Sequence, residues 1–475
     1  MLLKMKKKRL TFSNFNKDLL KFSSMKVVYI GHGSSGWTSA TTLRAWNRTA
    51  EITIIDKKNY DAYHPCAMPY AIGGLWEDES PLIESLNYDM MKINFLRRHE
   101  ALKIDRENKK VSVKNLENDE VFDVEYDYLV VCTGSKAKLP PIPGADGKNV
   151  YALKWIEDSA RIREAAKNAS KAVVLGASAI GLEVATELAH RGIETVVLAR
   201  SRIMRLLIDP DYANETVKLL EEKLPKLKII IGVGINEIVT DENGMATKVT
   251  TDQGDFECNF VVAATGVGPE VTLAQEAGLK IGESWAIWTD EELKTSDPNI
   301  LAVGDCAETT HLVSKKPINS AIATCCVRMA RVAAMTIARP GTLTFPGTMN
   351  NFIVPYIDLR VGSVGLIKKA AEDAGFEVVT AKIKTHNKPP YMPDAEELLF
   401  KILADKNTGK ILGAQAIGPD SITDNLNVIS LGMQNDMTFI ELLQSDLCYA
   451  PAVNETIYPV TQALEMISRK MLRRK

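Results

Sequence analysis

Cysteine is the residue whose scarcity says most. Seven occur in 475 residues at irregular spacing, with no paired zinc-type arrangement and no disulfide framework of the kind small secreted domains carry. No apolar run approaches the ~18 residues that a membrane span needs, so no membrane partner is expected. Charge of either sign is not in excess: the net charge is −2, which removes the electrostatic case for nucleic acid as main partner. The basic start, with Lys4, Lys6, Lys7, Lys8 and Arg9, lacks the apolar core of a secretory signal. Residues 1–24 are expected to be a disordered tail or an over-long start, because Met25 directly precedes the first strand pattern. Reduced thiols and no export signal together imply a cytoplasmic protein. Glutamine is scarce while lysine and glutamate abound, a hint of a heat-loving source. The length suits two to four domains.

What is present is a nucleotide fingerprint in full context. The apolar run Lys26–Ile30 enters Gly31-His32-Gly33-Ser34-Ser35-Gly36, Thr38–Arg48 reads as a helix, and Asp56 ends the next strand at Ile52–Ile55. Gly31 permits the tight turn, Gly33 lets backbone approach a pyrophosphate, and Gly36 packs helix on strand. Amides at the helix start, Ser34 included, then hold phosphate, and Asp56 is placed to accept hydrogen bonds from a ribose.

The pattern recurs. Lys171–Leu175 enters Gly176-Ala177-Ser178-Ala179-Ile180-Gly181, with a helix expected over Leu182–Arg191 and a strand over Glu194–Leu198. Ser178 replaces the middle glycine with another small residue. At the ribose-reading position stands Ala199-Arg200-Ser201-Arg202 in place of an acid. Loss of the carboxylate with guanidinium nearby is how a 2′-phosphate is accommodated, which favours NADPH with NADH as the alternative; Arg205 is a further candidate. Each fingerprint has a closing strand and a threonine–glycine turn, Thr133-Gly134 and Thr265-Gly266. Such internal similarity means two related units. A third element, Ile300–Val303 followed by Gly304-Asp305, would place the Asp305 carboxylate at a strand end over a ligand's polyol chain.

Between the two fingerprints lies Tyr63-His64-Pro65-Cys66-Ala67-Met68-Pro69-Tyr70, with no second cysteine within sixty residues of Cys66. A dithiol enzyme would carry a nearby partner. A lone thiol must instead cycle through a bond to something external: a low-molecular-weight thiol, a sulfane sulfur or an oxygen. A helix start and an oxidised flavin would both favour its thiolate. The vicinal pair Cys325-Cys326 reads as core packing, since adjacent helix residues do not face each other.

In these motifs and their order, residues 25–475 resemble the flavoprotein pyridine nucleotide–disulfide oxidoreductases. Within them the chain is similar to the single-cysteine branch of coenzyme A disulfide reductases, NAD(P)H polysulfide reductases, NADH oxidases and NADH peroxidases. The resemblance implies an α/β fold of two Rossmann-like domains plus a C-terminal α+β dimerisation domain: a tail at 1–24, FAD-binding parts at 25–152 and 283–348, an NAD(P)-binding domain at 153–282, and a dimerisation domain at 349–475. It implies FAD on Gly31, Gly33, Ser34, Gly36, Asp56, Thr133, Gly134, Gly304 and Asp305, and nicotinamide nucleotide on Gly176, Ser178, Ile180, Gly181, Arg200, Arg202 and Gly266. Glu183 matches the family glutamate near the flavin–nicotinamide contact. Two-cysteine relatives pair that acid with a lysine shortly after the cysteine, and none occurs here before Lys92.

The resemblance further implies a homodimer whose active site is shared across the interface. Tyr391 and Tyr449 match positions at which coenzyme A disulfide reductases keep tyrosines as proton donors to the leaving thiolate, a role suited to a phenol of pKa near 10. Two departures bear on activity. Pro65 replaces the asparagine of many coenzyme A disulfide reductases, and Ser34 stands where peroxidases have histidine, which makes peroxidase activity the less expected one. No rhodanese-like domain follows, so sulfane sulfur is expected to arrive by diffusion. The favoured expectation is an NADPH-dependent reductase of coenzyme A disulfide, a related small disulfide or a polysulfide, acting through Cys66. An oxidase reducing oxygen, and a redox-sensing flavoprotein with incidental activity, are the alternatives. Arg44 and Arg48 on the first helix are either candidates for a coenzyme A phosphate or ordinary surface arginines.

Overall fold

The structure, a computed structural model, describes residues 24–472; of the tail expected at 1–24, residues 1–23 lie outside the described residues. The first sheet has five parallel strands in the spatial order Ile300–Ala302, Tyr128–Val131, Lys26–Ile30, Glu51–Asp56, Ile93–Arg97. Continuous β-branched runs form it because both faces are covered: Val27, Val28, Tyr29, Val130 and Val131 are almost wholly buried. The helices Ser34–Trp46 and Ala323–Ala338 pack together on this sheet. Strand Lys26–Ile30 is central, so its carboxyl end meets that of Tyr128–Val131, the place where such sheets bind ligands.

A second parallel sheet repeats the arrangement with strands Leu227–Ile231, Glu194–Ala199, Lys171–Leu175, Phe260–Ala263 and Val150–Tyr151. The third sheet is antiparallel, in the order Phe352–Tyr356, Leu359–Gly365, Ile411–Gly418, Glu397–Asp405, Val378–His386. Helices Ile422–Gln434 and Pro459–Leu472 cover it. One apolar core joins all three units: Met68 and Ile72 from the cysteine segment share it with Leu182, Leu188, Tyr356 and Ile417.

Both fingerprint helices begin earlier than the sequence pattern indicates. The first spans Ser34–Trp46 and the second Ala179–His190. The fingerprint residues themselves form the first helical turn, so polar and glycine positions that read as loop are helical. The first helix stops at Trp46 because Asn47 turns the chain, its side-chain oxygen accepting the amides of Thr49 and Ala50 at 3.0 and 3.1 Å.

Candidate active site

The segment carrying Cys66 is held on both sides. The amide of His64 donates to the carbonyl of Leu82, and that of Glu84 to Ala62. A 3₁₀ turn at Pro65–Ala67 then runs into the short helix Met68–Gly73, closed by Gly74 in the left-handed conformation at φ 90°. Met68, Ala71 and Ile72 are buried against the helix Ala179–His190. Cys66 itself is exposed. Apolar anchoring on one flank thus fixes the segment while leaving the thiol accessible.

The protein groups around the thiol work against the helix start and flavin that would favour its thiolate. Although the residue is open on one side, desolvation by the protein around it pushes the Cys66 thiol up, Glu183 and Asp305 push it further, and Lys154 opposes them. The helix after Cys66 is only six residues long and Cys66 lies in the 3₁₀ turn before it, so little helix dipole reaches the sulfur. Glu183 is pushed up to about 8 by burial, with Glu187 one turn along the helix adding to it. At neutral pH it is mostly a neutral acid.

Asp305 lies in the turn Gly304–Cys306. Its carboxylate accepts from the Ser135 hydroxyl at 2.7 Å and from the Cys326 thiol at 3.2 Å. Cys325 and Cys326 are both buried; Cys326 therefore packs as expected but also contacts the candidate cofactor anchor. Lys154 donates to Ser135 Oγ at 2.8 Å and lies 3.9 Å from Asp305 Oδ2.

The first fingerprint has the shape a flavin nucleotide requires. Gly31 has φ 109°, and a Cβ there would come within 2.3 Å of the Cys132 carbonyl oxygen. Gly33 has nothing within 4 Å of its Cβ position, leaving the helix start open to a pyrophosphate. Asp56 stands beyond it, accepting the amides of His32 at 2.6 Å and Lys58 at 2.9 Å. Lys58 Nζ reaches the same carboxylate at 2.5 Å, near the rings of Tyr60, Tyr63 and Trp155. Burial alone would raise Asp56, but Lys58 and the amides hold it below its ordinary value, so it remains an acceptor. These residues fit FAD. Thr133 turns its hydroxyl to the Glu270 carbonyl at 2.6 Å, which leaves backbone rather than side chain for a cofactor.

At the second fingerprint Ser178 caps the helix, accepting from the Gly181 amide at 3.3 Å, and Ile180 is exposed beside it. Gly266, at φ 119°, has open space around its Cβ position. Arg200 and Arg205 are exposed. The two terminal nitrogens of Arg202 donate to the carbonyls of Ile208 and Arg205 at 2.5 and 2.6 Å, so its guanidinium braces its own loop. Arg44 is likewise committed, binding the carbonyls of Met91, Ala50 and Lys92 at 2.8, 2.7 and 2.7 Å; Arg48, expected on the first helix, lies in the turn beyond its end and is exposed.

Tyr391 and Tyr449 are not gathered with Cys66, Glu183 and Asp305. Both are exposed, and they hydrogen-bond to each other, which raises Tyr391. Sequence reasoning missed Lys154, Ser135 and Lys58. Lys58 follows Asp56 by two residues and could have been read as its neighbour; the other two carry no local mark.

Known proteins match the chain over most of its length. Residues 25–327 match the family described as pyridine nucleotide-disulphide oxidoreductase, and residues 352–460 match its dimerisation domain. The chain belongs to that family. It is an oxidoreductase that works with FAD and NAD(P)H. An NADH oxidase of Methanocaldococcus jannaschii is 32% identical over 94% of this chain and 99% of its own. A NAD(P)H coenzyme A polysulfide/persulfide reductase of Pyrococcus horikoshii is 30% identical over 90% of this oxidoreductase and 94% of its own chain. The solved structure of an NAD-dependent persulfide reductase from A. fulgidus aligns with TM-score 0.90 and 31% identity, covering 94% of this chain and 83% of that one. Among the described residues no helix is long and apolar enough to cross a membrane.

Proposed function

We propose that this oxidoreductase reduces a small disulfide, coenzyme A disulfide or a polysulfide, with electrons from NADPH passed through Cys66. The observation that carries the reading is the exposed thiol of Cys66, with no second cysteine within sixty residues of it, on a segment anchored by Met68, Ala71 and Ile72 against the helix Ala179–His190. Held on Gly31, Gly33, Ser34, Gly36, Asp56, Thr133, Gly134, Gly304 and Asp305, FAD supplies a two-electron relay between nicotinamide and sulfur. The Cys66 thiolate attacks one sulfur of the acceptor, forming a mixed disulfide and releasing one thiolate. Two electrons then cleave that bond, restoring the Cys66 thiolate and releasing the second thiol with one proton. In a homodimer the exposed pair Tyr391 and Tyr449 is suited to serve the partner's site, where a phenol protonates the departing thiolate. The domain limits expected from the sequence belong to this reading. The relative named as a polysulfide/persulfide reductase supports it; the one named as an NADH oxidase keeps oxygen as the competing acceptor.

Anaerobic assay with coenzyme A disulfide or polysulfide should release thiol in proportion to NADPH oxidised, and faster than the same enzyme consumes oxygen in air. Oxygen consumption without anaerobic thiol release would replace this reading with the oxidase. In the same assay NADPH should exceed NADH in kcat/KM by roughly ten- to a hundredfold, the range of one charged hydrogen bond. Arg200→Ala should remove most of that preference, and an unchanged ratio would exclude Arg200 from 2′-phosphate recognition.

A further inference from the structure

Two buried cysteines sit side by side on the helix Ala323–Ala338 and serve different neighbours. The Cys325 sulfur lies 3.9 Å from Met329 Sδ, one turn along the same helix. The Cys326 sulfur lies 3.2 Å from Asp305 Oδ1, and 3.9 Å from the point where a Cβ on Gly304 would stand. Burial, and then Asp305, push the Cys326 thiol well above its ordinary value. The sulfur therefore keeps its proton and is the donor to an ionised carboxylate.

Asp305 is held at three points. Its carbonyl accepts Asn319 Nδ2 at 2.7 Å, its Oδ2 accepts the Ser135 hydroxyl at 2.7 Å, and its Oδ1 accepts the Cys326 thiol. A bond to one carboxylate oxygen alone lets the group turn about that oxygen; a bond to each fixes its plane. A carboxylate offers about four lone-pair sites, so both oxygens can still accept from a ligand, and the side chain stays 23% exposed.

We propose that Cys326 is a positioning residue of the flavin site: its thiol donates to Asp305 Oδ1 and so fixes the carboxylate that holds the ribityl chain of FAD. The proposal rests on the reading of Asp305 as an FAD anchor. A side chain ordered in advance loses less freedom when its ligand arrives, so the thiol adds to FAD affinity by acting through Asp305. Cys325, equally buried on the same helix turn, serves the core alone.

The test is the dissociation constant of FAD, read from the rise in flavin fluorescence as the holoenzyme is diluted. Cys326→Ala should raise it roughly three- to tenfold, the effect of leaving one side chain to be ordered on binding. Cys326→Val, which fills the space without a donor, should do the same and serves if the alanine variant folds poorly. Cys326→Ser, which restores a donor, should stay near wild type, as should Cys325→Ala. In an Asp305→Ala background, itself weaker for FAD, Cys326→Ala should add no further loss. An equal loss in both backgrounds, or a serine variant as weak as the alanine one, would assign Cys326 to packing and overturn the proposal. Unchanged affinity in Cys326→Ala beside a clear loss in Asp305→Ala would leave Asp305 as the anchor and remove only the role of Cys326. Unchanged affinity in Asp305→Ala would remove the anchor reading itself.

Discussion

Cys66→Ser should retain FAD and its reduction by NADPH, yet lose reduction of coenzyme A disulfide by roughly a thousandfold or more, as removal of a nucleophile does. The separation follows from position. Neither fingerprint includes Cys66, and the glycine turns at Gly31 and Gly176 close on the carbonyls of Cys132 and Ala264, far along the chain from it. Electrons should therefore still enter the flavin and leave to oxygen or an artificial dye. A serine hydroxyl cannot form the mixed disulfide, so the route to a small disulfide ends there. Stopped-flow absorbance measures the first half and anaerobic thiol release the second. Loss of both would show that Cys66 supports the flavin site rather than acting on the acceptor.

Lys401→Met should cost about 3–5 kcal/mol of stability, the range for breaking a buried ion pair from one side. Lys401 occupies an inward position of the strand Glu397–Asp405 and is 6% exposed, 2.6 Å from Asp209, which is 3% exposed. Asp209 precedes the helix Pro210–Lys223 of the second sheet's unit, and Gln415 from the neighbouring strand both donates to it at 2.9 Å and accepts its amide at 2.8 Å. The C-terminal sheet and the second nucleotide-binding unit are thus joined through desolvated charges. Methionine fills the lysine's space but leaves Asp209 charged, with hydrogen bonds from Gln415 and the Lys368 amide as its compensation. Those bonds place the cost toward the low end. Denaturant unfolding should show the loss, and Asp209→Asn in the same chain should recover much of it, because a neutral amide needs no counter-ion. A loss unchanged by the second substitution would assign the effect to packing rather than charge.

The nucleotide-binding units were legible because their chemistry is local. β-Branched runs, glycines at fixed offsets and a terminal acid all lie within some thirty residues, and strands at Lys26–Ile30 and Lys171–Leu175 form where the pattern places them. What escaped depends on chain segments far apart. The loop that folds back to offer Arg202 two carbonyls leaves no mark in the sequence. Arg44 reads as a surface charge until the segment around Met91 arrives beneath it. Lys154 follows a two-residue strand and gains its place through hydrogen bonds with Tyr63 and Ser135, each supplied by a separate stretch. Around Cys66 the sequence likewise showed only the near part: burial by the protein, then Glu183 and Asp305, push its thiol up, and all three come from distant segments.

The central claim is that Cys66 carries the acceptor's sulfur during turnover, and the mass of the intact protein tests it directly. Oxidised enzyme mixed anaerobically with coenzyme A disulfide should gain one coenzyme A per chain, located on Cys66 by peptide mass. One equivalent of NADPH should then remove the adduct and release one thiol. An enzyme that turns over the disulfide while Cys66 stays unmodified, or that carries an adduct NADPH does not remove, would contradict the account.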